Sequence, residues 1–422
     1  MKYKIINKGN YNIYFIKSTK FKTISVSTIV ANYYNLDEIT ESNFISEYLV
    51  TANKKYNSEL LMSKEFINLY NPRIDIYDIF RDIHAKCFDI TFLNEKYTEK
   101  GMNKKTLDFY YSLMFNVNEK NKELDKDISN MIIRRLDADY KLREENPGEI
   151  AYFDSKRYIN ADIPFKYNNI GKRKELKKID YKLAYKNYIN KLKTGEFAVF
   201  VIGDLDEDEV SDLIGSNLDK KVNNNKIDYK RVFDVTETVK YKDIKKKSRF
   251  NQSIIYFYYK LLNLTERERF VVLPIFNEIL GGDSSKLFEN VREKNSLAYY
   301  AYSGVILNQS ILYMYAGINR NNYAKAIEIM KKQIEEMKNG NISNKEFEGA
   351  KNELFNALDQ MDDKPLSMLN SLKAVVLYDR DEYDILRKKY ESVTKEEVVN
   401  LTNKLNLDVL YFLEGEKENE NN

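Results

Sequence analysis

Apolar residues along this chain recur at two spacings, which switch back and forth every ten to twenty residues. TISVSTIVANYY (23–34) is dense in β-branched and aromatic residues and predicts a strand, and ESNFISEYLVTA (41–52) then takes helical spacing. Far downstream the same succession returns: NQSIIYFYYKLL (251–262) predicts a strand and TERERFVVLPIFNEILGG (265–282) a helix. SELLMSKEFINLYNPRIDIYDIF (58–80) and SSKLFENVREKNSLAYYAYSGV (284–305) share a helix-then-strand rhythm. HAKCFDITFLNEKY (84–97) and QSILYMYAGINRNNY (309–323) are strands that lead into the amphipathic helices 105–116 and 323–340, the latter with Gly340 placed as a C-terminal cap. Each half closes on one more apolar strand, EFAVFVIGDL (196–205) and DVLYFLEGE (408–416). The opening residues, 1–21, alternate apolar with polar and predict a first strand, without the apolar core of a signal peptide.

Matched segments lie about 225 residues apart, so the chain reads as a duplication. The expectation is an α+β protein of two tandem homologous domains, each a largely antiparallel sheet with helices packed on one face. Residues 1–220 form the first domain and 241–415 the second. Between them, 221–240 is a linker: apolar periodicity vanishes in SNLDKKVNNNKIDYKR (216–231), where Asn and Lys dominate. The tail 416–422, EKENENN, is expected to be disordered.

Composition narrows the function classes. The 422 residues are 43% hydrophobic and 32% charged, as in a globular protein, and no apolar run is long enough to span a bilayer. A net charge of +3 with scattered basic runs gives nucleic-acid binding no electrostatic support. A single cysteine, Cys87, excludes an internal disulfide and points to a reducing, cytoplasmic setting. The single histidine, His84, bears most on chemistry, because a catalytic zinc normally needs three protein ligands. His84 and Cys87 are three residues apart and face opposite sides of an extended strand, so they cannot share a metal. His84 reads as a hydrogen-bonded or surface residue.

GGDSSKLFENVREKNSLAYYAYSG (281–304), on a tandem α/β chain, resembles the pitrilysin or insulinase family of zinc peptidases, in particular the bacterial zinc-free partners of two-subunit enzymes. The resemblance extends over essentially the whole chain and implies that each chain forms half of a clamshell. Family members that cleave peptides carry H-x-x-E-H on a helix in the first half, two imidazoles one turn apart with a glutamate that activates water. SNFISEYLVTANKKYNS (42–58) resembles the end of that helix and places Asn43, Ser46 and Glu47 in the His, Glu and His positions. All three are replaced, so this chain is expected to bind no metal or cofactor, with zinc supplied by a sister chain.

The resemblance also implies roles for an arginine and a tyrosine seven residues apart, here Arg292 and Tyr299. In the family such a pair holds backbone carbonyls of the substrate near the scissile bond. A guanidinium keeps its charge at neutral pH and a phenol adds one rigid donor, which suits the charge that develops on an attacked carbonyl. Without the resemblance, Arg292 would be a surface residue paired with Glu289 or Glu293, and Tyr299 one aromatic among Tyr300 and Tyr302. Strand register decides which of Tyr299 and Tyr300 faces the substrate, and the seven-residue spacing selects Tyr299.

The implied protein is therefore the zinc-free subunit of a heterodimeric metallopeptidase, inactive alone, that takes an extended peptide by strand addition. A homodimer is an alternative assembly in the absence of the sister chain. The rival function is a non-catalytic peptide-binding or scaffold protein of the same fold. A third, a cysteine nucleophile at Cys87, competes with a buried, unreactive thiol in CFDITF. Gly281 and Gly282 suit a helix cap or a close backbone approach. GDLDEDEVSDLI (203–214) reads as a helix N-terminus, lacking the spacing of a calcium loop, and KYKDIKKKSRF (240–250) as a solvated face.

Overall fold

A computed structural model describes residues 2–33, 35–80, 83–161, 163–166, 169–227, 238–283 and 285–416. The middle of the expected linker, 228–237, and all but the first residue of the expected tail, 417–422, lie outside the described residues. The chain divides into two compact units. One comprises Met1–Lys141, Asn168–Tyr229 and Met361–Arg380, and the other Leu142–Tyr167, Lys230–Gln360 and Asp381–Asn422. Each unit thus takes one segment from the opposite sequence half.

The first unit holds strands β1 (Lys4–Asn7), β2 (Asn12–Lys17), β3 (Thr23–Asn32), β4 (Arg73–Phe80), β5 (His84–Leu93) and β6 (Glu196–Gly203). They form one sheet in the order β1-β2-β6-β3-β5-β4, antiparallel except for β2 against β6. The second unit holds β7 (Lys242–Lys247), β8 (Ser253–Leu261), β9 (Ala298–Ile306), β10 (Ile311–Ile318) and β11 (Leu405–Glu414). Their order is β9-β10-β8-β11-β7, antiparallel except for β11 against β7. Apart from β1, the two sheets follow one path and place their parallel pair at the same point, as the duplicated sequence pattern predicts.

Pleating sends alternate residues to opposite faces. In the first sheet Ile24, Val26 and Val30 of β3 and Val199 and Val201 of β6 join Phe44, Tyr48 and Leu49 from the helix Ile39–Thr51 in one core. The helices Met102–Phe115 and Tyr181–Thr194 complete that layer with Tyr110, Met114 and Tyr188. Helices therefore cover one face of the sheet as expected, and the structure adds a helix on the reverse face. There Ile29, Cys87, Phe200 and Ile202 meet Leu369 and Leu372 from the helix Pro365–Tyr378, one of the exchanged segments. Lys373 of that helix pairs with the buried Asp89 at 3.3 Å.

The second sheet has the same arrangement, with Tyr256, Tyr258 and Tyr411 packed against Ala151 and Ile159 from the other exchanged segment. The reason lies in the central strands: all nine residues of β8, SIIYFYYKL, are buried, and one helical layer would leave half of them in water.

Gly281 and Gly282 end the helix Leu273–Gly281, with Gly282 in extended conformation at φ −72°. A Cβ on Gly281 would lie 2.1 Å from the backbone nitrogen of Ser303 in β9, so the helix reaches this strand only because residue 281 lacks a side chain. Gly281→Ala is expected to cost roughly 1–3 kcal/mol of stability. Gly349, inside the helix Asn344–Asp359, has no atom within 4 Å of its would-be Cβ. Gly349→Ala should instead add about 1 kcal/mol through helix propensity. Urea denaturation of both variants checks the opposite signs.

Candidate functional site

The helix Ile39–Thr51 carries the three positions that resemble a zinc motif, and the structure gives each of them other work. Asn43 donates its amide to the carbonyls of Ile39 at 2.9 Å and Asn169 at 3.1 Å. Ser46 is buried, and its Oγ receives the ammonium of Lys86 at 2.7 Å. Glu47 is half-buried, and that burial is the main reason its carboxyl sits above the ordinary glutamate range. Zinc does not fit here: none of the three positions supplies an imidazole, and a cation already stands beside Ser46. No group of three or more His, Cys, Asp or Glu among the described residues could hold a metal ion.

That cation belongs to a buried polar centre built around Asp78. The Asp78 side chain has no exposed surface. Its Oδ1 lies 2.5 Å from His84 Nε2 and 3.0 Å from Ser42 Oγ. Its Oδ2 accepts from Lys86 Nζ at 2.9 Å and from Ser46 Oγ at 3.2 Å. Four donors match the four acceptor sites of a carboxylate. Burial alone would raise this carboxyl, yet Lys86 and His84 outweigh it and hold Asp78 well below the usual carboxylate range. Burial pulls both Lys86 and His84 below their ordinary values, while Asp78 opposes the shift in each. The chain's one histidine is thus a hydrogen-bonded structural residue. Cys87, one position from Lys86 in sequence, points to the opposite face, where burial pushes its thiol up to about 12 and leaves it unreactive.

β4 is an edge strand, paired only with β5. Its free side opens on a groove of about 440 Å³ lined by Arg73, Asp75 and Tyr77, with Ser46 and Glu47 on one wall and Leu366 and Asn370 on the other.

Arg292 and Tyr299 come together in the second unit. Arg292 lies on the wide helical turn Phe288–Glu293, where Lys294 N bonds to Glu289 O at 2.8 Å. Ser296, in left-handed conformation at φ 50°, then reverses the chain into β9. Both residues line one recess of about 450 Å³ with Glu293, Asn319 and Asn322. The guanidinium rests 5.0 Å from the Phe288 ring and meets Glu293 only at 3.7 Å. Of the two glutamates offered by the sequence, Glu289 pairs with Lys294 instead. The choice between Tyr299 and Tyr300 falls on a register shift: Ala298 faces Ile318 and Tyr300 faces Gly317, which leaves Tyr299 on a bulge without a partner. Tyr299 is 61% exposed, whereas Tyr300 packs on Tyr315 at 5.4 Å. Bulges re-aim single side chains in this way.

Asp78, Lys86, Asn319 and Asn322 escaped the sequence reading. Lys86 did leave a signal, because polar residues at 84 and 86 interrupt the core-facing set that Phe88 and Ile90 continue on β5. Asn319 left none, since its place beside Tyr299 arises from strand pairing.

Asp78→Asn leaves the buried Lys86 without its counter-charge and should cost roughly 3–5 kcal/mol, and pairing it with Lys86→Met should recover part of that loss in a double-mutant cycle. The His84 prediction concerns pH. Its folded pKa lies below the ordinary value of about 6.5, so the unfolded chain takes up the proton first and stability falls as pH drops below about 6.5. His84→Gln should flatten that part of a melting-temperature profile taken between about pH 5 and 7.5.

Residues 182–354 match the family model described as the peptidase M16 inactive domain. Over 428 aligned residues the chain is 25% identical to a Bacillus subtilis (strain 168) protein named "Probable inactive metalloprotease YmfF", covering 96% of each. Its fold is similar to that of a conserved protein from Enterococcus faecalis V583, with a TM-score of 0.87 at 22% identity over 99% of this chain and 100% of that one. It is also similar to a peptidase M16 inactive domain from Pseudomonas fluorescens, with a TM-score of 0.81 at 14% identity over 99% and 98%. The chain is thus similar to the peptidase M16 inactive domain over residues 182–354 and shares its fold from end to end with these solved structures, and its described residues hold no metal-binding cluster.

Proposed function

We propose that this chain is a non-catalytic peptide-binding protein of the M16 fold. The observation that carries the reading is the recess beside edge strand β9, where Arg292 and Tyr299 present donors next to unpaired backbone. An extended peptide that adds to a sheet edge gains main-chain hydrogen bonds from the strand and side-chain recognition from what flanks it. In the first unit the groove along β4 likewise lies at an edge strand. Hydrolysis is not part of the reading, because Asn43, Ser46 and Glu47 stand where the metal ligands and base would be.

A specific observation favours a second reading. Arg292 and Tyr299 are retained and outward-facing although the metal ligands are lost. In this reading the chain is the zinc-free subunit of a heterodimeric peptidase of the cytoplasm, and a sister chain with H-x-x-E-H supplies metal and base. Arg292 and Tyr299 then stabilise the transition state.

One set of variants separates the two. Arg292→Ala with Tyr299→Phe is expected to weaken peptide binding by the isolated chain, measured by fluorescence polarisation. Co-expression with an H-x-x-E-H chain from the same genome tests the second reading. There the same variants should lower turnover by about 10²–10³ per lost donor while the complex still forms. A co-purified complex whose turnover ignores both substitutions rejects the subunit reading.

A further inference from the structure

We propose that the Arg292 recess recognises the free C-terminal carboxylate of a peptide; this rests on the peptide-binding reading and names which part of the peptide the recess holds. Three donors of different kinds converge there, and of these only the Tyr299 hydroxyl is engaged, in one long bond. The Arg292 guanidinium makes no hydrogen bond among the described residues, and Glu293 at 3.7 Å is its sole ion-pair partner. The Tyr299 hydroxyl makes one long contact, donating to Asn319 Oδ1 at 3.4 Å. Asn319, at the start of the short turn Arg320–Asn322, accepts from Tyr299 through Oδ1, and its side-chain amide hydrogens make no hydrogen bond among the described residues. Asn322 differs, because its amide holds the Leu297 carbonyl at 3.3 Å and so fixes the turn that brings the donors together.

A neutral carbonyl would satisfy one or two of these donors and bring no charge to a guanidinium whose one acidic partner, Glu293, stands 3.7 Å away. A carboxylate offers two oxygens to the guanidinium fork, with lone pairs left for a phenol and an amide. Placement agrees. The strand pairing ends at Ala298 opposite Ile318, so Tyr299 and Asn319 sit at the end of the open edge, where an added peptide strand would also end.

The test uses the full chain and two series of fluorescein-labelled random hexapeptides, identical except that one ends in a carboxylate and the other in a carboxamide. The expected result is at least about tenfold tighter binding of the acid series, a charge-assisted difference. Arg292→Gln and Asn319→Leu should each reduce the ratio of acid to amide affinity, with unchanged melting to show an intact fold. Equal binding of acid and amide, both lost in Arg292→Gln, overturns the carboxylate assignment and leaves the peptide-binding reading in place. Binding of neither series overturns both.

Discussion

Asp78 is a carboxylate with no exposed surface, and the architecture around the helix Ile39–Thr51 depends on keeping it ionised. A buried charge survives only when paired and fully hydrogen-bonded. Here β5 supplies His84 and Lys86, and the helix Ile39–Thr51 supplies Ser42 and Ser46. Helix and sheet edge are thereby tied through one group. The counter-charge is a lysine ammonium from the chain's own sheet, Lys86, which also reaches Ser46 of the helix.

The duplicated topology gives the chain two equivalent edge strands, β4 and β9, which serve differently. At β4 the neighbouring polar groups are turned inward to satisfy one another, so little remains to act on a ligand beyond the groove itself. At β9 the reverse holds: a bulge and a left-handed serine turn a tyrosine and an arginine outward with few partners.

Gly281 and Tyr299 are connected through the same strand. The glycine lets a helix approach β9 at Ser303, and Ser303 in turn donates to Asn277 of that helix at 2.9 Å. The strand is thus fixed from one side, and its bulge from the other by Asn322. A recess on so short a turn keeps its geometry through this support.

Much of this was legible in the sequence. The strand runs 23–34 and 251–262, the helices between them and the constant spacing of the halves follow from side-chain alternation, which is a local property. That Asn43, Ser46 and Glu47 offer no imidazole was legible from residue identity alone. The tertiary structure alone decided what crosses the two sequence halves. The helices Pro147–Lys156 and Pro365–Tyr378 cover sheets of the opposite half, and no local pattern says which apolar face a helix will meet. Partner choice for Asp78, Lys86 and Tyr299 was likewise non-local. Those contacts depend on strand register and on one bulged residue, and a shift of a single position would turn each of these side chains to the other face.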